Sequence, residues 1–147
     1  MLQQILAGGA VSLVNFGIHA LITGVIVVVT RRIAGATDDL HVFMRLTSLL
    51  MITGTILMIA HALEIAVWAA YYSSAGITIE GVSSFEFAFE NYTALGYGDV
   101  LPKNGLRLTG PITSLNGLLL IGWSVAIIFE VMKLADIQIK RDAPRSR

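Results

Sequence analysis

No lysine, arginine, aspartate or glutamate occurs from Met1 to Thr30, and none from Leu46 to Leu63. Apolar stretches of about 18 residues without charge are long enough to cross a bilayer as helices. This segregation of charge is the strongest constraint on the fold, because a backbone inside a bilayer must satisfy its own hydrogen bonds. Three spans are predicted, at about Leu6 to Thr30, Leu46 to Tyr72 and Pro111 to Leu134. Pro111 suits a first helical turn, where its missing N–H costs nothing. The first apolar segment differs from a secretory signal, which carries its positive charge before the apolar run. Here Arg31 and Arg32 come after it, so the segment is expected to be retained as a helix.

Composition agrees with a membrane protein. Of 147 residues 55 % are hydrophobic and 14 % charged, which is too apolar for an average soluble domain. Ten basic and ten acidic residues balance, so no nucleic-acid partner is indicated. The chain has no cysteine, which rules out disulfides, thiolate metal sites and cysteine nucleophiles. No nucleophile elbow, phosphate loop or metalloprotease pattern occurs, and an enzyme is not expected.

Arginine and lysine set the expected orientation. Arg31, Arg32 and Arg45 flank the first loop, and Lys133, Lys140, Arg141, Arg145 and Arg147 mark the C-terminal end. Both regions are expected on the cytoplasmic side of a plasma (inner) membrane, with the N-terminus and segment 73–110 outside. Tyr71 and Tyr72 would mark the outer boundary. Within 73–110, Ser83 or Ser84 is a candidate N-cap followed by Glu86 and Glu90. The spacing of Phe85, Phe89 and Tyr92 predicts a short helix up to Thr93. Its C-terminal, negative dipole end would favour a cation below it.

Directly after this helix comes Thr93-Ala94-Leu95-Gly96-Tyr97-Gly98-Asp99. Gly96 and Gly98 can enter left-handed backbone regions at no steric cost. Alternation of that kind lets successive carbonyls point the same way, so that rings of oxygens replace the water shell of a cation. The Gly-Tyr-Gly-Asp run between two spans resembles the selectivity filter of the tetrameric potassium channels. The resemblance covers about Leu46 to Leu134: outer helix, pore helix, filter and inner helix. It implies an all-α membrane protein with three transmembrane helices, a re-entrant pore helix and filter loop, and a homotetrameric pore. The chain divides accordingly into an extra N-terminal helix and loop (1–45), a pore module (46–135) and a basic tail (136–147).

By the same resemblance the filter residues run from Thr93 through Ala94, Leu95, Gly96 and Tyr97 to Gly98, with potassium ions as the only bound species and no other cofactor or metal. Glu90 and Asp99 would face each other behind the filter, sharing a proton as a brace; a solvated Glu90 is the alternative. Gly117 and Gly122 are either gating hinges or small residues at a helix contact. Leu118, Ile121, Val125 and Phe129 would line an apolar cavity, and Glu130 would ring the inner mouth or pair with Lys133. The family usually carries threonine where Ala94 stands, which implies a weakened innermost cation site and reduced discrimination between potassium and sodium.

The first span lies outside the two-helix pore pattern and brings Asn15 and His19. The second brings His61 and Glu64, three residues apart on one helix face. Polar groups at membrane depth are expensive and face partners. They are read as hydrogen bonds between helices, as a proton- or metal-sensitive intramembrane sensor, or as haem ligands through His19 and His61. The functional expectation is a passive potassium or monovalent-cation channel in a lipid bilayer. The alternatives are a non-conducting accessory subunit of a membrane complex and a haem-binding membrane redox protein.

Overall fold

The structure, a computed structural model, describes residues 1–36, 42–77, 81–96 and 107–142, with side chains over the part of these that excludes 34–36, 42 and 136–142. Four helices form among the described residues: α1 (Leu2–Ala36), α2 (Val42–Ser74), α3 (Ser84–Tyr92) and α4 (Thr109–Asp142). Three of them, over Leu2–Ile33, Phe43–Ser74 and Thr109–Ala135, are long and apolar enough to cross a membrane. The helices continue beyond the predicted apolar spans, by two residues at the end of α2 and the start of α4 and by four to eight at their other ends and both ends of α1.

The short α3 starts where its sequence says. Ser83 Oγ accepts from the Glu86 N–H at 3.1 Å, and a Glu86 carboxylate oxygen accepts from the Ser83 N–H at 3.2 Å, a reciprocal capping box. Its aromatics divide between two sides. Phe87, Ala88 and Tyr92 are buried, whereas Phe85 and Phe89 remain about half exposed.

Two apolar clusters hold the bundle. One joins Ile65, Trp68 and Tyr72 of α2 to Phe87, Ala88 and Tyr92 of α3 and Leu120 of α4. The other joins Ile26 of α1, Leu49 and Leu57 of α2, and Ile127, Val131 and Ala135 of α4. Between the two clusters each long helix contributes polar residues to the interior: His19 on α1, His61 and Glu64 on α2, Ser124 on α4. The sequence pattern thus places one polar layer between two apolar ones, and α3 occupies the end of the bundle where α2 finishes and α4 begins.

Candidate pore-helix seat and intramembrane polar cluster

The end of α3 is fixed by backbone bonds. The Leu95 N–H donates to Glu90 O at 3.1 Å and the Ala94 N–H to Asn91 O at 3.0 Å, the paired pattern of a Schellman cap. That cap needs a left-handed residue in the position of Ala94, and Ala94 has φ +55°. Alanine there costs roughly 1 kcal/mol relative to glycine. The positive φ at Ala94 therefore belongs to the helix cap. Gly96, two residues on, has φ +38°. Thr93 Oγ1 donates back to Phe89 O at 2.9 Å. Tyr97, Gly98 and Asp99 lie outside the described residues, as do the Glu90–Asp99 contact and residues 143–147 of the tail.

Helix α4 closes on this end of α3. Ser114 Oγ donates to Asn91 O at 2.7 Å. Gly117 approaches the Tyr92 backbone so closely that a Cβ would stand 2.8 Å from the Tyr92 carbonyl carbon and nearer still to its oxygen. Of the two readings of Gly117, the structure provides the close contact. Gly122 has nothing within 4 Å of a would-be Cβ. Leu118, Ile121, Val125 and Phe129 are all exposed on the single chain, and so is Glu130.

The intramembrane residues converge. His19 Nδ1 lies 2.8 Å from Glu64 Oε1, and His61 Nδ1 lies 3.1 Å from Glu64 Oε2. The Tyr92 hydroxyl donates to Glu64 Oε2 and lies 2.8 Å from His61 Nδ1. Ser124 Oγ stands 2.9 Å from His61 Nε2 and 3.4 Å from His19 Nε2. His19 and Glu64 are fully buried, and the His61 side chain is 18 % exposed. Beside this cluster Asn15 Nδ2 donates to Glu64 O at 3.2 Å and to Asn116 Oδ1 at 3.1 Å, and Trp68 Nε1 donates to the same oxygen at 2.9 Å.

Side chains of all four helices thus enter one cluster around Glu64, and Tyr92, the last residue of α3, ties the foot of the expected filter to Glu64 and His61 of α2, with Glu64 in turn reaching His19 of α1. Sequence reasoning identified Asn15, His19, His61 and Glu64 but missed Tyr92, Ser124, Trp68 and Asn116. The signal for Ser124 and Asn116 was present, as polar residues inside an apolar span. Nothing local marks Tyr92 or Trp68. A haem held between His19 and His61 does not fit: both Nδ1 atoms face the one Glu64 carboxylate and both Nε2 atoms the one Ser124 hydroxyl, and with ring centroids 5.6 Å apart no gap for a macrocycle lies between them.

Three apolar spans with a short capped helix between the second and third define a multi-pass, all-helical membrane protein. Residues 58–133, just over half of the chain, match the ion channel family; the chain belongs to that family. The matched segment takes in the C-terminal half of α2, all of α3 and most of α4, and leaves α1 outside. No curated protein and no solved structure matches the chain.

Proposed function

We propose that the protein is a homotetrameric channel that passes potassium, or monovalent cations with weakened discrimination, down their gradient. The observation that carries this reading is the link from α3 to the Gly-Tyr-Gly-Asp run inside an ion-channel-family segment. A capped short helix ends at Tyr92, the chain turns at Ala94, and Gly96 enters the left-handed region where carbonyls can be turned to one side. The C-terminal carbonyls of α3 supply the negative end of its dipole to the same place. Four copies around an axis complete the rings of oxygens, and the exposed faces of α4 carrying Leu118, Val125 and Phe129 then have a common cavity to line.

The basic residues beside the first loop and in the C-terminal tail support an external N-terminus and a cytoplasmic C-terminus in the plasma membrane. Ala94 offers only its carbonyl at the innermost cation site, which is the basis for weakened discrimination. Potassium flux into vesicles reconstituted with purified protein, with the chain number per particle counted by cross-linking, tests the proposal. Flux from four-chain particles is expected. Four-chain particles without flux would support a non-conducting accessory subunit, and single chains would overturn the pore.

A further inference from the structure

The polar cluster is short of hydrogen. Four contacts form a closed ring, Glu64 to His19, His19 to Ser124, Ser124 to His61 and His61 back to Glu64, and Tyr92 branches from it to both Glu64 and His61. With Glu64 ionised, two neutral imidazoles, one serine hydroxyl and one phenol supply four hydrogens, since each neutral imidazole carries a single N–H. The phenol hydrogen goes to Glu64, so three hydrogens serve the four contacts of the ring, and every choice of tautomer leaves one of them with two lone pairs facing each other. A buried polar network is costly unless every member is satisfied, and a carboxylate buried without a counter-charge is costlier still.

A cation removes the conflict. Place both imidazole hydrogens on Nε2, and Ser124 Oγ accepts both through its two lone pairs. The two Nδ1 lone pairs then face the Glu64 carboxylate together, at 2.8 and 3.1 Å from its oxygens. These separations approach the edge of a tetrahedron about 3.3 Å long, set by metal–ligand bonds of about 2.0 Å. One ligand atom each from His19, His61 and Glu64 lies within 4.8 Å of the others. Two imidazoles and a carboxylate form the ligand set preferred by zinc-class ions. Ser124 would orient both rings from behind, as outer partners of metal-bound histidines do, and Tyr92 would hold the carboxylate. A cavity of about 210 Å³ bordered by Met58, His61, Phe89, Thr93 and Ile121 opens onto the His61 edge.

The geometry points to a binding site for a divalent transition-metal ion of the zinc class at His19, His61 and Glu64, joining α1 to the pore segment. Binding is read without ion flux, so its failure is separate from failure of the channel reading.

The test uses the full chain in detergent, free of any histidine tag, titrated with Co²⁺ and then with Zn²⁺. The expected result is one Co²⁺ per chain with the visible absorption of a tetrahedral site, lost when zinc is added. His19→Gln, His61→Gln and Glu64→Gln should each weaken binding about tenfold or more, whereas His41→Gln should leave it unchanged. The native chain supplies a measurement independent of variant folding: zinc should raise its melting temperature by linkage, and magnesium should not. No absorption band, no zinc-dependent rise, or binding that follows His41 alone would overturn the site. A melting temperature that responds to pH but not to zinc would assign the missing link to a proton and likewise overturn it.

Discussion

Gly117 on α4 lies directly against the Tyr92 carbonyl, the last of α3, at a distance that admits no side chain. Its conformational freedom is not what the position requires; its size is. Gly117→Ala should force α4 away from the pore helix, with a cost of about 1–3 kcal/mol from overpacking. Gly122→Ala, with open space around it, should leave stability unchanged or slightly raised. Thermal unfolding of the purified protein compares the two. Equal tolerance would mean that α4 does not seat the pore helix this way.

Tyr92→Phe keeps the ring in its apolar cluster and removes the hydroxyl that donates to Glu64. A buried carboxylate then has one donor fewer, at a cost of about 1–3 kcal/mol. Tyr72→Phe, which loses the contact with Thr113 Oγ1 at 2.6 Å, should cost a similar amount. If the proposed filter follows α3, only Tyr92→Phe should also lower a preference for potassium over sodium, because only Tyr92 adjoins it. Melting temperatures and ion preference of the two variants, measured together, separate these effects.

The Schellman cap predicts the response of Ala94. Ala94→Gly should stabilise the chain by up to about 1 kcal/mol, since glycine adopts positive φ freely. Ala94→Thr places a β-branched residue in the left-handed region and should lower the melting temperature, while its hydroxyl should strengthen the innermost cation site and sharpen potassium preference. A stabilising Ala94→Thr would show that this residue takes a different backbone conformation in the assembled protein.

Asn15 bridges α1 to both of its neighbours, through Glu64 O and Asn116 Oδ1. Asn15→Ala should cost about 1–2 kcal/mol and should loosen α1 selectively. Hydrogen exchange should rise along Leu2–Ala36 while α3 and the facing part of α4 keep their protection. Uniform exchange across all helices would contradict a local role.

Much of the helical frame is legible in the sequence for simple reasons. Charge-free runs mark the spans, and Ser83 with Glu86 marks the start of α3 by a local hydrogen-bond pattern. His61 and Glu64 announce a shared face by their spacing, and His19 announces that a partner must exist. The rest depends on contacts remote in the chain. Tyr92 meets Glu64 across 28 residues and Ser124 meets His19 across 105, and no local pattern encodes either pair. Ala94 in the left-handed region was hidden as well, because alanine carries no signal for positive φ where glycine would. Gly117 could be seen as a small residue in a helix, but its partner, the Tyr92 carbonyl, follows only from how α3 packs on α4.

The central claim is that the backbone after α3 selects cations by their fit to carbonyl oxygens. Reversal potentials of the reconstituted protein between potassium and sodium solutions test it most directly. The account predicts a potential displaced toward potassium, moved further that way by Ala94→Thr and back toward zero by Tyr92→Phe. A potential that stays at zero in all three proteins, with current flowing, would contradict it.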